Sequence, residues 1–199
     1  MPEEIIPGLA RISLPLPNNS LGSVNAYAVL SADGLRLIDC GWDAEEVYAA
    51  LADELYHLGV QVNDIREILI THAHSDHIGL AERLKQVTDA RLLLHRLDAV
   101  SRWTEPSERL RMVAETERWL QANGMPQEEW DVIIRVMRSR PIRVPTYRPD
   151  LLLEGGEVLD WRPFRFEVIW TPGHSPGLVC LYERQHQILL SSAITCWKG

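Results

Sequence analysis

Three histidines and an aspartate fall within six residues at His72-Ala73-His74-Ser75-Asp76-His77. They follow Ile65-Arg66-Glu67-Ile68-Leu69-Ile70, an apolar, β-branched run that predicts a buried strand. They precede Ile78-Gly79-Leu80-Ala81-Glu82-Arg83-Leu84, which predicts the first turns of a helix. Ligand-type side chains thus crowd the loop where a strand hands over to a helix, the edge at which α/β proteins build sites. Imidazole nitrogens and a carboxylate at this density suit zinc or a similar borderline metal. In an extended segment His72 and His74 point to the same side and can reach one ion. Asp76 and His77 follow as the chain turns, and can serve a second ion beside the first. The bland alternative is a solvated polar loop that happens to be histidine-rich; four ligand-type residues at one strand end count against it.

The remaining pattern is that of one α/β domain. Strands are expected at Leu9–Leu14, at Val24–Leu30 and Leu35–Asp39 around an Ala32-Asp33-Gly34 turn, and at Ala90–His95. A helix is expected over Asp43–Leu58, capped by Asp43, stopped by Gly59 and striped with Val47, Leu51, Leu55 and Leu58. From Leu97 to Arg148 the pattern is helical, with starts at Pro106 and Pro126 and a stop at Asn123-Gly124. This stretch, residues 97–148, reads as an insertion rich in tryptophan and arginine (Trp103, Arg109, Arg111, Arg118, Trp119, Trp130, Arg135, Arg138, Arg140, Arg143, Arg148). It is either a lid whose cations steer an anionic substrate or a solvated face with tryptophans packed on the domain. Glu154-Gly155-Gly156-Glu157 reads as a turn between short strands within Leu151–Leu159. Phe164–Trp170 reads as a strand, and Leu178–Tyr182 with Ile188–Leu190 as a hairpin. His57 and His186 are expected at the surface, and His95 as a structural histidine.

Composition narrows the function. A net charge of −8 argues against general nucleic-acid binding. The acidic start Met1-Pro2-Glu3-Glu4 carries no secretory signal pattern, and no apolar run is long enough to cross a membrane. The three cysteines, Cys40, Cys180 and Cys196, form no Cys-x-x-Cys pair, which fits a cytoplasmic location; Cys40 and Cys180 read as packed thiols.

The run His-x-His-x-Asp-His resembles the signature of the metallo-β-lactamase superfamily. Thr171-Pro172-Gly173-His174-Ser175-Pro176-Gly177 is similar to its next metal motif. Val24-Asn25-Ala26-Tyr27 and Leu37-Ile38-Asp39-Cys40-Gly41 are similar to its opening strands. The resemblance extends from about Pro7 to Ser192 and lies nearest the glyoxalase-II-like and lactonase-like hydrolases. It implies an αββα sandwich in which His174 joins His72 and His74 on a first ion, with Asp76 and His77 on a second. Asp76 would also orient water or carry a proton, and Asp39 would fix a histidine's orientation from behind. The ions would be zinc, or iron or manganese, and would supply a metal-bound hydroxide for attack on a small thioester, ester or lactone. A phosphodiesterase or nuclease of the same superfamily is the alternative within the enzymes.

The chain departs from the family after Ser191-Ser192, where a bridging aspartate is expected and Ala193 stands instead. The later histidine, closing strands and helix are also missing, so the sandwich is expected to be incomplete. With one set of synonymous codons, reading from the third base of the Ala193 codon gives Asp-His-Val-Leu-Glu-Arg. That suggests a one-base frame change, by mutation or sequence error, and an impaired enzyme. The competing expectation is a non-catalytic, truncated domain holding one metal or none, prone to self-association through its incomplete sheet.

Overall fold

A computed structural model of the chain describes residues 1–17, 19–99, 106–139 and 147–191. Ala193, Cys196 and the whole frame-change tail lie outside these residues, as do Trp103, Arg140 and Arg143. By contacts the chain divides into two compact units, one of residues 1–99 and 147–199, the other of residues 100–146.

The first unit is built on two sheets. The larger has seven strands in sequential order: β1 (Glu3–Ile6), β2 (Leu9–Pro15), β3 (Ser23–Ser31), β4 (Gly34–Ile38), β5 (Ile65–Ile70), β6 (Arg91–His95) and β7 (Leu151–Leu153). The first four run antiparallel, and β4 through β7 are parallel. The smaller sheet is an antiparallel set in the order β11 (Ile188–Leu190), β10 (Val179–Glu183), β9 (Phe164–Trp170) and β8 (Val158–Trp161). Helix α1 (Glu45–His57) follows β4, while α2 (Ser75–Ile78) and α3 (Ala81–Val87) follow β5. Among the described residues no helix is long and apolar enough to cross a membrane.

The parallel strands read as unbroken apolar runs because both of their faces are buried. Leu37, Ile68, Leu92 and Leu94 face the helices, sharing a core with Val47, Leu51 and Leu55 of α1 and Leu84 of α3. Their neighbours Ile38, Leu69 and Leu93 face the second sheet, packing with Phe164, Phe166, Val168, Val179 and Leu181. Each fully buried Leu, Ile or Phe in these layers stabilises the fold by about 1.5–3 kcal/mol. The mixed sheets with helices on one face give the expected α/β class.

Two local readings are corrected. Asp43 does not cap α1: Ala44 holds that position without a side-chain hydrogen bond, and the backbone nitrogen of Asp43 packs against Gly79. The helix expected from Ile78 is split. Cys40 N donates to the carbonyl of His77 (2.8 Å) and Leu80 N donates to that of Gly41 (3.3 Å), so backbone groups here are spent on the β4–α1 loop. The Glu154–Glu157 turn lies between two short strands, as expected. It carries the chain from β7 in one sheet to β8 in the other, with the Glu157 carboxylate accepting from Glu154 N and Gly155 N (2.7 and 2.9 Å).

Gly79 has no room for a side chain. A Cβ there would lie 2.4 Å from Asp43 N, 2.5 Å from Ser75 O and 2.7 Å from Gly41 O, all backbone atoms that cannot swing aside. Gly79→Ala should therefore cost about 1–3 kcal/mol, the usual range for overpacking, and urea unfolding measures it directly.

The second unit contains α5 (Pro106–Ala122) and α6 (Gln127–Ser139). Gly124, with φ of 76°, closes α5. Val113, Leu120, Trp130 and Ile134 form the unit's own small core, whereas Trp119 is exposed. Arg111 pairs with Glu115 (2.9 Å) and Arg138 with Glu117 (3.4 Å). These two cations are thus partly neutralised on the helices themselves.

Candidate metal centre

The centre gathers at the C-terminal ends of the parallel strands. Asp39 follows β4 in a left-handed conformation (φ 57°) that aspartate tolerates better than most residues. Its carboxylate is buried and is the anchor of the histidine loop. Oδ1 accepts from Thr71 N (2.7 Å); Oδ2 accepts from the Thr71 hydroxyl (2.8 Å) and from His77 Nδ1 (2.8 Å). Committing Nδ1 of His77 to Asp39 leaves Nε2 for the other side, where it lies 3.4 Å from Asp76 Oδ2.

His72, His74 and His174 are brought together. One ring nitrogen from each lies within 4.8 Å of the others, and His72 Nε2 is 3.0 Å from His74 Nδ1. Nitrogens bound tetrahedrally to zinc at about 2.0–2.1 Å lie roughly 3.3 Å apart, so the donor spacing suits such an ion. His72 is buried, His74 half-buried and His174 exposed. Protonation states agree with a ligand role. Burial, reinforced by the neighbouring imidazoles, pushes His72 down to about 4 and lowers His74. Both rings are therefore neutral near pH 7, the form that donates a lone pair to a metal. His77 behaves oppositely. Burial disfavours its charge, but the hydrogen bonds to Asp39 and Asp76 outweigh it and raise His77 to about 10. The same contact with His77 lowers Asp76 to about 2.

The His174 loop leaves β9 and enters β10. Thr171 N donates to Leu178 O (2.9 Å), and the Trp170 indole donates to Pro176 O (2.9 Å). Val179 N reaches across to Thr71 O (3.0 Å), tying this loop to the other sheet. Asp98, in the short helix α4 (Arg96–Ala99) after β6, is a buried acid at the same place that the sequence reading passed over. Its signal was available: it follows the third consecutive parallel strand, as Asp39 and His72 follow the first two.

The other histidines stay apart from the trio. His57 is exposed and its Nδ1 donates to Asp53 O. His186 is exposed at its hairpin tip and pairs with Glu183 (2.7 Å). His95 is buried, stacks on Trp170 at 5.5 Å, and accepts a hydrogen bond from Leu97 N. Cys40 and Cys180 are buried free thiols.

Similarity to known proteins agrees with this arrangement. The family model of the metallo-beta-lactamase superfamily matches residues 19–192. The probable metallo-hydrolase YqgX of Bacillus subtilis is 28% identical over 171 residues, covering 85% of this chain and 65% of YqgX. The acyl-coenzyme A thioesterase MBLAC2 of Gallus gallus is 29% identical over 127 residues, 62% of this chain and 39% of its own length. Among solved structures, the metallo-beta-lactamase family protein TTHA1429 of Thermus thermophilus superposes with a TM-score of 0.73 at 31% identity, covering 94% of this chain and 59% of that one. The fold and the histidine trio define an α/β protein with a candidate metal site. The chain belongs to the metallo-beta-lactamase superfamily. It spans less than two thirds of the length of these relatives.

Proposed function

We propose that this chain is a metal-dependent hydrolase of small acyl substrates, with thioesters the leading class and lactones and simple esters next. The convergence of His72, His74 and His174 on one point carries the reading. The thioesterase name of one relative supports the substrate class. His72, His74 and His174 would hold a first divalent ion, zinc foremost, and Asp76 with His77 a second, the ion displacing the proton on His77 Nε2. An ion so held acidifies water and polarises an acyl carbonyl. The protein's own part is to orient. Asp39 fixes the His77 ring through Nδ1, and Asp76, ionised beside His77, is placed to accept a hydrogen bond from water or substrate.

The test is turnover by protein loaded with zinc, manganese or iron. The panel holds an acyl-coenzyme A, an acylglutathione, a lactone, a p-nitrophenyl ester and a phosphodiester. Thioester hydrolysis that a chelator stops and added metal restores is expected. Turnover of the phosphodiester alone would transfer the proposal to the nuclease branch. Metal bound with no turnover of any substrate would leave a binding domain.

A further inference from the structure

Asp98 grips both ligand-bearing loops at once. Its Oδ2 accepts from Ala73 N (2.8 Å), the residue between His72 and His74. Its Oδ1 accepts from Gly177 N (2.8 Å), and the Ser175 hydroxyl, next to His174, lies 2.6 Å from both oxygens. The two loops are rooted in different sheets. The His72–His74 segment follows β5 of the larger sheet, and His174 lies between β9 and β10 of the smaller. The carboxylate also excludes any side chain at Gly177, where a Cβ would lie 2.7 Å from Asp98 Cγ and Oδ1.

We propose that Asp98 is a positioning residue for the metal trio: it sets the separation between the His74 loop and the His174 loop, and so the affinity of the site for its ion. This rests on the metal-binding part of the reading above and not on any particular substrate. A carboxylate that merely satisfied buried donors would stabilise the fold without affecting the ion. One that fixes the approach of two ligand loops must affect both, because each loop reaches it within one residue of a ligand. Groups that orient ligands from behind are worth about 10–100-fold in metal affinity.

The experiment measures zinc affinity by chelator competition on the full chain, for variants shown by circular dichroism to be folded at the temperature used. Asp98→Ala should bind zinc about 10–100-fold more weakly than wild type. Gly177→Ala should weaken binding in the same direction, since its methyl group takes the carboxylate's place. In the double variant that clash is gone, so binding should be no weaker than in the worse single variant, a non-additivity expected of directly contacting residues. Ser175→Ala keeps both backbone anchors and should lose only a few-fold; it decides the matter if Asp98→Ala does not fold. Folded variants that bind zinc as tightly as wild type would overturn the inference while leaving the metal site intact. A wild-type chain without zinc affinity would overturn the metal reading and this inference together.

Discussion

His72→Ala is expected to remove more than half of the thermal stabilisation that zinc confers on the wild-type chain. Three imidazoles converge on one point, and His72 is the buried member of the set. Zinc sites with four protein ligands bind with about 10–16 kcal/mol, or roughly 3 kcal/mol per ligand. Losing one ligand should weaken binding about 100-fold, at 1.4 kcal/mol per tenfold. At a zinc concentration about 1,000 times the wild-type dissociation constant, binding adds about 4 kcal/mol to folding stability. For a chain of this size that corresponds to a rise in Tm of roughly 8–16 °C. The variant, at the same zinc concentration, should show less than half of that rise. Scanning calorimetry with and without zinc checks it; equal shifts in wild type and variant would place the ion elsewhere.

Asp39→Ala should be the most destabilising single substitution near the centre, at about 4–7 kcal/mol. Its carboxylate takes three hydrogen bonds, from Thr71 N, the Thr71 hydroxyl and His77 Nδ1, all in a buried setting. Removing it strands those donors and leaves the protonated His77 with one fewer buried counter-charge, the kind of loss that costs about 3–5 kcal/mol. The backbone adds to this, because alanine at φ 57° is strained by about 1–2 kcal/mol. Asp39→Gly removes the same carboxylate without that strain, so it should be less damaging than alanine by roughly the same 1–2 kcal/mol. Asp39→Asn keeps one acceptor oxygen and tolerates the left-handed backbone, and should fall below both. Urea unfolding of the three variants, in metal-free buffer, separates the backbone contribution from the lost carboxylate. An alanine variant as stable as wild type would remove Asp39 from its supporting role.

Much of this was legible in the chain because it is local. The histidine run, the Thr171–Gly177 segment and the strands leading into them are encoded within a few residues, and alternating or continuous apolar patterns report their own burial. Asp39 was placed beside the site by the family resemblance, its strand-end position being the local cue. Asp98 shares the strand-end cue but was passed over, because its partners Ala73, Ser175 and Gly177 lie far away in sequence and meet it only in three dimensions. The Glu154–Glu157 turn was found between its short strands, but turn chemistry does not say which sheet the next strand joins. The cap of α1 and the break after Ile78 failed for a related reason. Asp43 and Leu80 are held by backbone contacts between the two loops, which override the local preference for a cap or a continuous helix.

The histidine trio draws its members from both sheets, and what separates those sheets is the apolar layer containing Phe166, Val168, Leu69 and Leu181. That layer acts as a spacer whose thickness is set by side-chain volume. A methyl group gained or lost there, remote from any imidazole, changes the gap across which the three imidazoles meet. Variation in the interior thus becomes a fine adjustment of the spacing within the trio, available without altering a single imidazole.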